Sequence, residues 1–185
     1  YKIDKIHILQ ICNNPNFIFY NYTILNYIFT NLKKNKTVEF LYFDTHFDYN
    51  NNLENYLKNK IYDGFISTLN LFNRGITKEF FKKINFFNKK IISISPVNIS
   101  LASTIIKKED LDILDSIKND YGLNDLHELS LVYLKSIKIK GAIFGTKNFN
   151  RYSDQKKFIN NCLIMDEKSL TKIAKIQRKI HKTKR

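Results

Sequence analysis

KIHILQI (Lys5–Ile11), NYTILNYIFTNLKKNK (Asn21–Lys36) and VEFLYF (Val38–Phe43) follow one another at the start of the chain, and their reading decides the fold. The first and third runs are short and apolar, as strands are. The second places Leu25, Ile28, Phe29 and Leu32 at i, i+3, i+4 and i+7, one face of a helix that ends in the polar run LKKNK. Asn13, Asn14 and Pro15 supply turn residues between the first strand and this helix. A strand, a helix and a second strand imply parallel pairing through a right-handed crossover.

The same alternation continues outward. Leu53 to Leu57 suggests a short helix, Phe65 to Leu69 (FISTL) a third strand after Asp63-Gly64, and Lys78 to Phe87 a helix with Phe80, Phe81 and Ile84 as apolar positions. Ile91 to Ser95 (IISIS) is a fourth strand stopped by Pro96, which has no amide donor. Between Asn98 and Asn119 the pattern weakens, and Lys107 to Asp115 (KKEDLDILD) reads as a solvated helix start. Asn119, Asp120, Tyr121 and Gly122 mark a break before a helix over about Leu126 to Leu134. Gly141 to Phe144 (GAIF) is a fifth strand that runs into Gly145-Thr146-Lys147 and a helix from about Tyr152 to Asn160. Ser169 to Ile180 carries Leu170, Ile173, Ile176 and Ile180 on one side, so an amphipathic helix packed on the outside of the body is expected. The fold class is therefore α/β, in a doubly wound sheet or a partial (β/α)8 TIM barrel of about five β/α units plus a C-terminal helix. Residues 1–185 are expected to form the C-terminal part of one barrel domain, with 181–185 a frayed basic tail. The opening on Tyr1, with an apolar run close behind, reads as a cut in a longer chain.

Composition bounds the function. With 43% hydrophobic residues, 15 Phe and 11 Tyr, the 185 residues suit a packed globule and argue against disorder. No apolar run is long enough for a membrane-spanning helix and no signal-peptide pattern opens the chain, so a soluble, cytoplasmic protein is expected, with an organelle address upstream left open. Cys12 and Cys162 show no CxxC or CxxH spacing, which argues against a disulfide framework or a zinc site and fits a reducing compartment. The net charge of +14 favours anionic partners. Scattered lysines in a chain rich in Lys, Asn and Ile also fit the codon bias of an AT-rich genome and an ordinary solvated surface. The strongest basic cluster is Lys175 to Arg185 (KIQRKIHKTKR), either a packed helix with a frayed end or a contact for RNA, an acidic protein or an anionic membrane surface.

Few constellations carry chemistry alone. Asp44, His46 and Asp48 form a DxHxD cluster that could bind a divalent metal or shape a polar loop. Asp110, Asp112 and Asp115 make no convincing acid–base pair, and Ser93, Ser95 and Ser100 lack a nucleophile elbow. Gly145, Thr146 and Lys147 read as a strand-to-helix turn with a solvated lysine, or as a phosphate cradle in which Gly admits the ligand and the following helix offers free N–H groups.

Taken together, five collinear segments resemble the aldo-keto reductase family, in the order of its fourth to eighth barrel strands. They are DKIHILQIC (Asp4–Cys12) with Pro15, the passage Lys33 to Thr45, DGFISTLNLFNR (Asp63–Arg74), IISISPV (Ile91–Val97) and Gly141 to Gln155. The resemblance implies reduction of aldehydes or ketones to alcohols by hydride transfer from NADPH, with no metal and a small carbonyl substrate. It implies cofactor-binding roles for Gly145, Thr146, Lys147, Arg151, Asp154 and Gln155, which match the family's 2′-phosphate loop, and for Ser95. Cys12 stands at the family's catalytic His, and a thiol is a poor donor by comparison; His7, five residues earlier, would point to the opposite face. Asp44-Thr45 replaces the family's Ser-Asn pair and Ile66 its Gln, while Asn70 and Arg74 match, in a spacing that could equally shape a loop. The family's catalytic Asp, Tyr and Lys lie on its first three strands, outside these segments. Tyr20, Tyr22 and Tyr27 are ordinary helix-packing and loop residues on this reading. The alternative is a catalytically inactive relative that serves as a binding or structural subunit, with RNA or an acidic partner on its basic tail; the oligomeric state is left open.

Overall fold

The computed structural model describes residues 5–11, 22–44, 53–73, 78–96, 106–143 and 149–183. In chain order they form β1 (Ile6–Ile11), α1 (Tyr22–Lys34), β2 (Val38–Asp44), α2 (Leu53–Lys58), β3 (Gly64–Thr68), α3 (Lys78–Phe86), β4 (Lys90–Ile94), α4 (Lys108–Asp120), α5 (Leu126–Ser136), β5 (Gly141–Ile143), α6 (Phe149–Asn161) and α7 (Glu167–Thr183). The five strands stand in one sheet in their chain order. β1–β2 and β2–β3 pair in parallel, with Ile8 opposite Phe40 and Asp44 opposite Ile66. This succession of β/α units is that of a partial (β/α)8 barrel, as expected. All five expected strands are present, shifted by a residue or two at their ends.

Four helices stop in the same way, which explains why each turns sharply into the next segment. Lys36, Asn88, Gly122 and Lys138 all take positive φ just after α1, α3, α4 and α5. The next amide then bonds back five residues, from Thr37 to the Leu32 carbonyl, Lys89 to Ile84, Leu123 to Lys118 and Ile139 to Leu134. Such left-handed caps satisfy carbonyls that the helix end leaves open. Only one of the four positions is glycine, so this signal is faint in the sequence.

The chain divides into two compact units, Tyr1–Ser67 with Gly75–Ile92 and Thr68–Arg74 with Ser93–Arg185. In the first, the parallel register sets Ile6, Ile8 and Gln10 on one sheet face with Val38, Phe40, Tyr42, Asp44, Gly64 and Ile66. The other face carries Leu41, Phe43 and Phe65, all buried. Phe43 stacks on Tyr56 of α2 with centroids 4.0 Å apart, and both rings meet Tyr62 edge-on. Asp63, just before β3, accepts from the Leu41 amide at 2.8 Å and from Lys33 Nζ at 2.6 Å. Lys89 Nζ donates to the Asn59 and Tyr62 carbonyls, and burial lowers its pKa. Gly64 is the first residue of β3, one residue ahead of the expected start of that strand. A Cβ there would collide with the Lys90 carbonyl oxygen and lie 2.6 Å from the Tyr42 ring.

Two expectations about helix faces are corrected here. Ile28 and Tyr27 of α1 are exposed, Tyr27 at 71%, so Ile28 does not share the half-buried side with Leu25, Phe29 and Leu32, and helix packing does not account for Tyr27. In the second unit, Lys107 to Asp115 is more than a solvated helix start. The helix α4 runs to Asp120, buries Leu114 and Ile117, and buries Asp110 to 4% exposure against Lys179 Nζ of α7 at 2.6 Å. A buried carboxylate without such a partner would be costly. The C-terminal helix α7 is amphipathic as expected and buries Ile173, Ile176 and Ile180, each side chain contributing about 1.5–3 kcal/mol. Gln177 lies inside that apolar stripe and is buried as well.

Candidate functional site

In a barrel of this type the reactive groups stand where strands end and the β-to-α connections begin. In the first unit, Gln10 lies one residue before the end of β1 and Asp44 ends β2. The Gln10 amide donates to Asp44 Oδ2 at 2.8 Å, and Asp44 is buried. The Asp44 carboxylate is thus an acceptor already engaged by a neutral donor, a different chemistry from the Ser-Asn pair that the resemblance puts there. Ile66, at the family's Gln position, is fully buried and has no side-chain polar atom to offer. Next to Asp44 on the same face, Tyr42 is buried, and burial, followed by the nearby Asp63 charge, pushes its phenol above the usual range. His7 points away from this group, as its place in the strand requires. It lies exposed beside Glu39, whose carboxylate is held below its usual range by hydrogen bonds from Lys5 and His7. Cys12, Thr45, His46 and Asp48 lie outside the described residues, so of the DxHxD cluster only Asp44 is placed. Among the described residues no group of three or more His, Cys, Asp or Glu side chains could hold a metal ion.

In the second unit, the ends of β3 and β4 are held by a buried network that the sequence pattern does not reveal. Asn70 Oδ1 accepts from the Phe72 and Asn73 amides at 2.9 and 2.7 Å, an Asx turn, while its Nδ2 donates to the Ser95 carbonyl at 3.1 Å. Ser130 of α5 accepts from the Leu71 amide at 3.0 Å and donates to the Pro96 carbonyl at 2.6 Å. Gln177 of α7 donates to the Asn70 and Leu71 carbonyls, and Tyr133 donates to Gln177 Oε1. The Ser93 hydroxyl closes the set on the Leu69 carbonyl. Asn70 is therefore a loop-shaping residue, the second of the two roles its spacing with Arg74 allowed. Arg74 itself lies outside the described residues. Ser95 stands exposed just past β4 with φ 54°, its carbonyl clamped by Asn70. A non-glycine residue fixed in that region costs energy and is characteristic of binding turns. The signal that could have found Gln177 is an amide set among Ile173, Ile176 and Ile180.

Past β5, Gly145, Thr146 and Lys147 lie outside the described residues. The helix after them is longer than expected and begins at Phe149, with no acidic residue in its first turn. That end of a helix attracts anions, and no carboxylate there opposes them. Arg151 lies in this first turn, but its side chain is not described. Asp154 and Gln155, one turn further on, line an open groove of about 520 Å3 between α5 and α6. Its other residues are Asp125, His127, Glu128, Leu131, Asn150 and Phe158. Asp125 and Glu128 serve structure there: Asp125 caps α5 by accepting from the Glu128 amide at 2.9 Å, and Glu128 accepts from the Asn124 amide at 2.7 Å.

The elements thus define a partial barrel whose strand ends carry polar groups in both units. No protein-family model matches the sequence, and no curated protein matches it. Solved structures do. The aldo-keto reductase AKR11C1 from Bacillus halodurans matches in its holo form with a TM-score of 0.67 at 16% identity, over 94% of this chain and 61% of that one. Its apo form matches with a TM-score of 0.70 at 15% identity, covering 94% and 62%. The thermostable aldo-keto reductase Tm1743, solved with the inhibitor epalrestat, matches with a TM-score of 0.67 at 14% identity, covering 94% and 60%. The chain has the fold of the aldo-keto reductases over almost its whole length, and it spans about 60% of the length of these relatives. No helix among the described residues is long and apolar enough to cross a membrane.

Proposed function

We propose that this chain is the part of an aldo-keto reductase-like carbonyl reductase that holds the phosphate end of NADPH. The observation that carries the reading is the likeness of fold over 94% of the chain to aldo-keto reductases, one of them solved in a holo form. Two features of the second unit fit the cofactor. The first turn of α6 is free of carboxylates and adjoins Gly145, Thr146, Lys147 and Arg151 in sequence, a donor-rich set for a phosphate monoester. The Ser95 turn is clamped through Asn70 and Ser130, so it presents its exposed side chain without loss of freedom on binding.

When bound, NADPH supplies the hydride that goes to the carbonyl carbon of an aldehyde or ketone. The substrate oxygen takes its proton from a donor that the resemblance assigns to the first three barrel strands. Within Tyr1–Arg185, Lys147 and Arg151 would pair with the phosphate, Asp154 and Gln155 would lie along α6 toward the adenine end, and Asp44 with Gln10 would offer a carboxylate and an amide at the other strand ends. Cys12 at the histidine position weakens substrate orientation. A second reading, a non-catalytic subunit that keeps the scaffold as a binding surface for a small molecule or partner, is favoured by the buried Ile66 and by the engagement of Asp44 with Gln10.

A fluorescence titration of NADPH on the longest natural form of the protein decides between them. Saturable binding is expected, weakened on the order of 10- to 100-fold by Lys147→Glu, as loss and reversal of one charge-assisted phosphate contact implies. A folded full-length protein that binds no NADPH would leave the second reading standing.

A further inference from the structure

We infer that the outer face of α7 is a binding surface for the phosphate backbone of a nucleic-acid duplex, read without regard to base sequence. The inference rests on the charge and packing of one helix and is independent of the cofactor reading.

From Lys168 to Arg185 (KSLTKIAKIQRKIHKTKR) the sequence has no Asp or Glu. Lys168, Lys172, Lys175 and Lys179 recur at i, i+4, i+7 and i+11 along α7, which sets them within about 60° of one another around its axis. The row is about 16 Å long. Lys168, Lys175 and Lys179 are exposed, Lys172 is half-buried at the margin, and Arg178 lies exposed beside the row. Lys179 meets Asp110 yet keeps 59% of its side chain in solvent. Among the described residues no carboxylate pairs with Lys168, Lys172 or Lys175.

Such a row works against the helix that carries it. Like charges three or four residues apart repel, and Lys168 in the first turn stands where the helix dipole disfavours a cation. The neighbouring α4 shows the ordinary arrangement, with Glu109 and Asp110 in its first turn and Lys118 of its last turn paired with Asp115. A lysine-rich composition accounts for the number of basic residues in α7 and not for their segregation from carboxylates on one face.

The rest of the helix narrows the kind of partner. Ile173, Ile176 and Ile180 are buried, so α7 has no free apolar face to lay into a lipid surface. It has no Phe, Tyr or Trp on which an unpaired base could stack. What it presents is a straight row of ammonium groups, one every 4.5 to 6 Å or so, roughly three or four residues of helical rise. The complement is a sustained line of negative charge, and a duplex carries one phosphate charge per about 1.7 Å of its length with the bases turned inward. An acidic protein would have to align carboxylates at the same pitch over the same length, which a duplex supplies at any position.

Anisotropy titrations of labelled duplex RNA and duplex DNA with the natural polypeptide test the surface. Saturable binding is expected, within about 3-fold for the two duplexes, with log K falling against log salt at a slope of about −4, as four phosphate contacts imply. Lys168→Glu combined with Lys175→Glu should weaken it on the order of 100-fold. The same charge change at two exposed lysines of the first unit, Lys34→Glu with Lys60→Glu, should cost less than about 3-fold. The α7 double variant should melt no lower than the wild type, because Lys175→Glu sets a carboxylate four residues before Lys179, so misfolding does not stand in for lost binding. Equal losses in the two double variants, the absence of saturable binding, or a single strand held more tightly than either duplex overturns the inference. So does binding to phosphatidylserine vesicles with none to the duplexes, which would make a lipid surface the partner.

Discussion

The two units fasten their strand ends with different chemistry. In the first, the ties gather before β3 and β4 and are charged: Asp63 holds Lys33 and the Leu41 amide, and Lys89 caps two carbonyls. In the second, the ties gather after β3 and β4 and are neutral: the Asn70, Ser130 and Gln177 side chains hold the loop backbone, and Tyr133 holds Gln177. Partly solvated lysines keep much of their hydration and can still tie a strand end where the geometry beyond it is unimportant. A buried network of amides and hydroxyls works only if every member is matched, and it fixes a loop in one geometry. The second arrangement lies at the end of the strands where barrels keep their chemistry, the first at the end that serves stability.

Removing the charged tie should have the largest effect. Asp63→Ala takes the counter-charge from a partly buried ammonium, which keeps the Ile61 carbonyl, and leaves a strand amide without its acceptor, and about 3 kcal/mol of unfolding free energy should be lost in urea titrations. Part of that loss should fade as salt rises, because the pair keeps some contact with solvent. Gln177→Leu should cost about 2 kcal/mol, since the Asn70 and Leu71 carbonyls and the Tyr133 hydroxyl lose a partner inside the core. That loss should be the same at low and high salt. A salt-dependent deficit in Gln177→Leu, or none in Asp63→Ala, would erase the distinction between the units.

Strands were legible because runs such as VEFLYF and IISIS are β-branched, aromatic and short, and the local signal agrees with the buried positions. The helix α4 was half legible: its buried Leu114 and Ile117 are spaced by charges, and the burial of Asp110 depends on Lys179, 69 residues later. Ile28 fits the apolar period of α1 yet faces away from the core, since periodicity reports that a face is apolar and not what covers it. The site was less legible still. The resemblance pointed to Asn70 and Ser95, whereas Ser130 and Gln177 joined them only through contacts distant in sequence. Cys12 and Gly145 to Lys147 fall in β-to-α connections outside the described residues, so their roles rest on the resemblance.

The smallest effect concerns the start of α7, where a charge serves the second unit by capping. Asp166 Oδ1 accepts from the Ser169 amide at 2.6 Å, and that hydrogen bond holds the carboxyl below its ordinary value of 3.8. A carboxyl whose pKa is depressed by folding adds stability that is fully present above the unfolded value and disappears as pH falls through the folded one. The cap should therefore act at neutral pH and fail only in acid, below pH 3.8. Asp166→Ala should lower Tm slightly at neutral pH and flatten the acid limb of the stability curve, while Asp166→Asn should keep most of the neutral-pH stability through its own carbonyl oxygen. Thermal melts between about pH 6 and about pH 3 separate the cases. If wild type and Asp166→Ala fall in parallel over that range, the cap does not set the acid sensitivity of the second unit.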